Sequence, residues 1–395
     1  MATLGSVNTE VLAALRMVPG GTQLLDALGS RRDVWIVGGA VRDALLGRTP
    51  KDIDLIIEGD AAALARDLGS IHETHDRFGT ITVLVHNEPV NIATARTETY
   101  ERPGALPDVE PGALTDDLRR RDFTINALAV DLAGELHAVE HAEDDLRNGL
   151  LRVLHERSFE DDPTRLWRLA RYAARLGFGI ESDTERLAHA AVTAGALDTL
   201  TGPRIGNEVA LALNEPDPLA ALIAANELGL LPNGVAPRRG LTARALELLP
   251  AEDGHPGILA LAAAAGAMPP DRLRAWLDQL GLGGRERDQV IAAASGAEAL
   301  AEALAGARRP SEIAAVARGK QPEHIALAGA LGPADQARAW LDNLRDVYLE
   351  ISGDDLLAEG IPPGPDMGRR LDRALAAKLD GEASGRDEEL EVALA

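Results

Sequence analysis

Cysteine is absent from the 395 residues. That excludes disulfides, thiolate metal sites and cysteine nucleophiles together. No apolar run reaches the roughly 18 residues that a membrane-spanning helix needs. The N-terminal stretch lacks the basic-then-apolar pattern of a secretory signal. A cytoplasmic protein with no membrane partner is therefore expected. Lysine is nearly missing: it occurs only at Lys51, Lys320 and Lys378. Almost all positive charge is arginine, the side chain suited to bidentate phosphate or base contacts, although genome composition alone produces the same bias. The net charge of −23 argues against a surface that grips nucleic acid everywhere, and leaves room for a local basic track.

The chain is longer than one hydrophobic core usually serves, and its 46% hydrophobic residues are enough to bury two to four domains. Its organising stretch is Val34 to Glu58, VWIVGGAVRDALLGRTPKDIDLIIE. An apolar run stops at Gly38-Gly39, a short amphipathic segment follows, and a second apolar run opens with Asp52 and Asp54. The pattern predicts strand, glycine turn, helix, strand. Alternate residues on a strand share a face, so Asp52 and Asp54 can meet one divalent ion. Gly38 and Gly39 carry no Cβ and let backbone amides approach a polyphosphate, with Arg42 one turn further on to add charge-assisted bonds. Taken singly, the glycines also read as a helix cap and the acids as a solvated pair.

Residues 7–30 carry the spacing of one or two short helices, and 59–68 that of another. Residues 80–86 and 89–95 read as an antiparallel pair of strands turning at Asn87-Glu88-Pro89. The stretch 97–118, rich in proline, glycine and acids, is expected to be a long functional loop. Arg119-Arg120-Arg121 then precede a helix-start signal at Asp122. Such a cluster in an acidic chain needs a partner, with Asp116 and Asp117 as local candidates. Further on, Asp162 suits a helix cap and Pro163 a first helical residue, which predicts a helix from 163 to about 176. Leu166, Leu169, Ala170, Ala173 and Leu176 share one of its faces, and Arg165, Arg168, Arg171 and Arg175 the opposite one. That stripe either faces something anionic or is solvated. From about residue 181 the chain is alanine- and leucine-rich with helical spacing broken by Gly and Pro, an all-helical half.

Three strings, 34–58, RRDFTINALA at 120–129 and SFEDDPTRLWRLARYAARLGF at 158–178, resemble the bacterial CCA-adding enzymes and poly(A) polymerases. These carry a nucleotidyltransferase head like that of DNA polymerase beta. The tail at 351–372 is a weaker match, in which an Arg-containing helix either meets RNA or caps the helical stack, the second being favoured. The resemblance implies an α+β fold: a small mixed-sheet head at 1–148, then a helical neck at 149–230, body at 231–345 and tail at 346–395. It implies Mg2+ on Asp52 and Asp54, contact of Arg121 with the incoming nucleotide, and an amino-acid template for the base made by Asp162 and Arg165. Arg168 and Arg171 would contact nucleotide at further turns. A carboxylate can accept from the exocyclic amine shared by cytosine and adenine, while uracil and guanine present a carbonyl there.

The chain departs from the family pattern twice. Asn91 stands where a carboxylate is usual, leaving Glu98 as a substitute, and Ala138-Val139-Glu140-His141-Ala142 replaces Asp-Pro-Phe-Gly-Gly. The implied activity is addition of C, A or both from CTP and ATP to the 3′ end of tRNA, and no particular oligomeric state is implied. Separate CC-adding or A-adding enzymes, a poly(A) polymerase and a non-catalytic RNA-binding relative are the alternatives. The acidic surface disfavours a polymerase acting on unstructured RNA.

Overall fold

The computed structural model describes residues 11–75 and 79–395. The chain divides into one unit of residues up to 201 together with Leu228–Leu230, and a second of residues 202–227 and 231–395. The expected head and the first part of the expected neck belong to the first unit. Of the expected N-terminal helices, residues 7–10 lie outside the described residues; residues 11–16 (α1) and Gly21–Leu28 (α2) are helical.

The apolar run gives β1 (Val34–Val37), buried along its whole length, followed by α3 (Gly39–Leu45), β2 (Asp54–Ile57) and α4 (Ala61–Leu68). Three strands come next, β3 (Ser70–His75), β4 (Thr80–Val85) and β5 (Glu88–Thr94). A separate ribbon pairs β6 (Arg96–Thr99) with β7 (Asp108–Pro111), and α5 (Leu114–Arg119) follows it. The sheet is completed by β8 (Leu128–Asp131) and β9 (Leu136–Ala138). Its order is β3-β4-β5-β2-β1-β8-β9. Only β2 and β5 pair in parallel, so the sheet is mixed, as expected.

Paired residues share a face, so the alternation of β1 and β2 sends Trp35, Val37 and Ile56 to one side. There they pack with Ala95, Leu114, Leu118, Ala127 and Ala129. This places α5 over the sheet and fixes where the arginines that end it can reach.

Three local expectations need correction. The hairpin between β4 and β5 turns at His86-Asn87, whose φ angles of 51° and 70° are the left-handed pair that a two-residue turn requires. Glu88 is already paired with Val85. The stretch 97–118 is not a long irregular loop, because Arg-Thr-Glu-Thr alternates and pairs as a strand with Asp108–Pro111. No helix starts at Asp122. Residues Thr124–Asn126 make a single 3-10 turn, and the apolar run beyond it becomes β8, the strand against β1.

The remainder of the first unit includes α6 (Ala142–Asn148), the short strands β10 (Leu150–Leu151) and β11 (Gly179–Ile180), and the helices α7 (Ser158–Asp161), α8 (Thr164–Leu176) and α9 (Ser182–Thr193). Helix α8 begins one residue after the sequence expectation.

The second unit is helical from α10 (Gly202–Leu213) to the C-terminal helix Gly385–Leu394. Its core includes an unbroken buried run, Leu259–Ala265. Small residues let backbones approach: a Cβ at Gly206 would lie 1.7 Å from the Leu280 carbonyl oxygen. In the tail, Arg370 and Arg373 donate to the carbonyls of Ala393 and Leu394 at 2.9–3.1 Å. These arginines close a helix end, where unpaired carbonyls favour cations.

Candidate functional site

The register of β1 and β2 sets Asp54 opposite Val37, the residue just before the glycine turn. Gly38 has φ 67°, a conformation that disfavours side chains. A Cβ there would also stand 2.7 Å from Nη1 of Arg121. A Cβ at Gly39 would meet Arg42 Nη2 at 3.6 Å, an ordinary contact. Of the two glycines, Gly38 is therefore the one that the geometry demands. Gly39 opens α3, whose first-turn amides have no partner within the helix.

Asp52 is exposed and Asp54 half-buried at the start of β2. Burial raises the Asp54 carboxyl above its ordinary range, the Asn91 hydrogen bond opposes this, the Asp52 charge adds to it and Arg121 opposes it; the net shift is upward. Two carboxylates that disfavour one another's charge form a centre that gains from a cation, and their hard oxygens suit Mg2+. Asn91 lies opposite Asp54 on β5 and donates to it from Nδ2 at 3.0 Å. Glu98 does not replace the missing acid. Its carboxylate accepts from Arg96, Arg120 and the Tyr100 hydroxyl at 3.0–3.1 Å.

The arginines ending α5 find partners within the chain. Asp117, fully buried, binds Arg120 at 2.6 Å and Arg121 at 2.9 Å. Arg121 also donates to the Asn126 carbonyl at 3.3 Å, which holds its guanidinium against Gly38. Arg119 is exposed. Arg42 is only 2% exposed. It binds Asp43 through Nε and Nη2, and Asn126 through Nη1, at 2.6–2.8 Å. These bonds fix its guanidinium beside the glycine turn.

The arginine stripe of α8 is partly covered: Arg168 and Arg175 are half-buried. Arg165 and Arg171 are 5% and 7% exposed. Arg165 donates to Ser158 Oγ at 2.6 Å and to the Arg120 carbonyl at 2.7 Å. Arg168 binds Asp122. Asp162 accepts from the Thr164 amide and hydroxyl at 3.2 and 2.7 Å, the capping role its type suggests. Sequence reasoning missed Tyr172. The guanidinium carbons of Arg42, Arg168 and Arg171 lie 5.5, 5.8 and 5.0 Å from its ring centre, and Phe123 meets it edge-on. It gathers cations by their attraction to the ring face. Tyr100 was missed as well. Burial and the charge of Glu98 hold its hydroxyl protonated far above the ordinary range, and it also feels the charges of Arg165 and Asp162.

A cavity of about 390 Å³ borders Glu98, Tyr100, Arg119, Arg120 and Arg165, within the range of small-ligand sites. Another of about 510 Å³ is lined by Ala138–His141 with Arg119 and Arg152, so the altered segment borders open space near the same helix. Asp131, Glu135 and His137 bring ligand atoms within 4.8 Å of one another, although one Asp131 oxygen already accepts from two turn amides.

Residues 34–152 match the poly(A) polymerase head domain family. The chain is 36% identical over 394 residues to the A-adding tRNA nucleotidyltransferase of Geobacter sulfurreducens, covering 91% of this chain and 45% of that protein. It is 34% identical over 377 residues to the CC-adding tRNA nucleotidyltransferase of Deinococcus radiodurans, covering 91% of this chain and 88% of the relative. The solved Thermotoga maritima CCA-adding enzyme complexed with tRNA is similar with a TM-score of 0.78 and 28% identity, over 98% of this chain and 97% of that one. The chain thus spans less than half of the Geobacter protein and most of the other two.

Proposed function

This chain belongs to the tRNA nucleotidyltransferase family, and on that premise we propose that it transfers a cytidylyl or adenylyl group from CTP or ATP to the 3′ end of a tRNA in the cytoplasm. The 3′-oxygen bonds to the α-phosphorus, the bond between α- and β-phosphates breaks, pyrophosphate leaves and the hydroxyl proton passes to solvent. The observation that carries this reading is the juxtaposition, by β1–β2 register, of the Asp52–Asp54 pair with the Gly38 turn and Arg121. A cation site thereby adjoins a cationic cradle for polyphosphate.

Asp52 and Asp54 would hold Mg2+, which when bound orients the triphosphate and lowers the pKa of the attacking hydroxyl. Gly38, Gly39, Arg42 and Arg121 would hold the phosphates, and Arg168 and Arg171 would contact the nucleotide from further turns of α8. Asp162 and Arg165 read the base edge. The guanidinium of Arg165, anchored at two nitrogens, presents its remaining N–H groups in a fixed orientation.

Asp52→Ala and Asp54→Ala test the assignment. Each should abolish incorporation of labelled CTP and ATP into tRNA lacking its CCA end while leaving the thermal melt near wild type, because half-exposed acids contribute little to stability. Near-wild-type incorporation by either variant removes the metal assignment.

A further inference from the structure

We propose that Asn91 and Thr82 are positioning residues that orient the Asp54 carboxylate for the cation, as an amide clasp on one of its oxygens. The inference rests on the metal reading of Asp52 and Asp54 given above.

Strands β4, β5 and β2 are adjacent, and their register aligns Thr82 with Asn91 and Asn91 with Asp54. Neighbouring strands are about 4.8 Å apart, a gap that one short hydrogen-bonding side chain spans. The three side chains therefore form a line on one face of the sheet. Thr82 Oγ1 donates to Asn91 Oδ1 at 2.8 Å, and Asn91 Nδ2 donates to Asp54 Oδ1 at 3.0 Å. All three residues are half-buried, so water competes weakly for these bonds.

The direction of the relay follows from the donor and acceptor inventory. An ionised carboxylate only accepts, so the NH2 group of Asn91 must face Asp54, and its carbonyl oxygen then meets a hydroxyl able to donate. With Oδ1 tied, the carboxylate plane is fixed and Oδ2 is left for a cation beside Asp52. A carboxylate at position 91 would lack the N–H and would add a third negative charge about one hydrogen-bond length from Asp54. An amide there orients a ligand; an acid there becomes one. Groups that orient a metal ligand typically matter at 10- to 100-fold in metal affinity.

The test is Mn2+ binding to the full chain, followed by electron paramagnetic resonance without nucleotide, alongside thermal melts and single-nucleotide incorporation. Thr82→Val keeps the side-chain shape and should melt near wild type, bind Mn2+ at least about tenfold more weakly, and lower kcat with little change in KM for CTP. Thr82→Ser, which keeps the hydroxyl, should restore both. Asn91→Leu should weaken Mn2+ binding as Thr82→Val does or further. Wild-type Mn2+ affinity in Thr82→Val and Asn91→Leu, with Asp54→Ala deficient, overturns the positioning role and leaves the metal reading standing. Wild-type affinity in Asp54→Ala overturns the metal reading and the clasp with it.

Discussion

Arg168 donates through Nε and Nη2 to a single oxygen of Asp122, at 2.9 and 2.5 Å. Burial by itself would raise the Asp122 carboxyl, but the charge of Arg168 and the bonds from Asn126 and Arg168 prevail and hold it at about 2, below the ordinary 3.8. The folded-state value is depressed, so the stabilisation is present above the ordinary value and is lost as pH falls through about 2. A shift of that size corresponds to about 2 kcal/mol. Urea denaturation of wild type and Asp122→Asn should show a stability difference at pH 6 that shrinks towards pH 2. Arg168→Ala, which strands a buried carboxylate, should destabilise by about 3–5 kcal/mol. A pH-independent difference would show that the pair does not set the Asp122 titration.

His141 has φ 68°, a left-handed conformation that favours glycine. The side chain strains the backbone there. Relief of about 1–2 kcal/mol of left-handed strain, set against about 0.5–1 kcal/mol of extra chain entropy for glycine, predicts that His141→Gly stabilises by roughly 0.5–1 kcal/mol in urea titration. Loss of stability would mean that the half-exposed imidazole makes a favourable contact outweighing the strain.

Base selection should respond to the anchors of the template as well as to the template itself. Asp162→Ala and Arg165→Ala should each lose about 1–3 kcal/mol of discrimination against UTP and GTP, read as the ratio of kcat/KM values. Ser158→Ala removes the bond to Arg165 Nη1 and should lose a smaller part of it. Unchanged ratios in all three would move selection to other residues.

The sequence made the head legible where one short segment carried both the pattern and the chemistry. Val34–Val37, the glycine turn and the paired aspartates stand within 25 residues, and their strand–helix–strand order is the observed one. Asp122 and Arg168 were harder to read. They are 46 positions apart, and only the packing of α8 shows that the arginine stripe meets a carboxylate from its own chain. The burial of Arg42 was hidden for the same reason, since its partner Asn126 is 84 positions away. The ribbon at 96–111 was hidden by its composition, because proline and glycine at its connection outweighed the alternation of its first strand. Asn91 stood out only as a departure from a pattern. Its bond to Asp54 depends on a parallel pairing between strands separated by α4, β3 and β4, a register that no local signal specifies.

The central claim is nucleotidyl transfer to the tRNA 3′ end, and its most direct test uses tRNA transcripts lacking CCA, lacking CA, or lacking only A. The purified chain with Mg2+ is given one triphosphate at a time and then CTP with ATP, and products are resolved at single-nucleotide length. The account predicts incorporation of C, A or both, limited to at most three nucleotides, with no product from UTP or GTP. Full CCA addition extends all three acceptors, CC addition stops two nucleotides into the first, and A addition uses only the last. RNA binding without incorporation on any acceptor, or long adenylate tails on unstructured RNA, would contradict it.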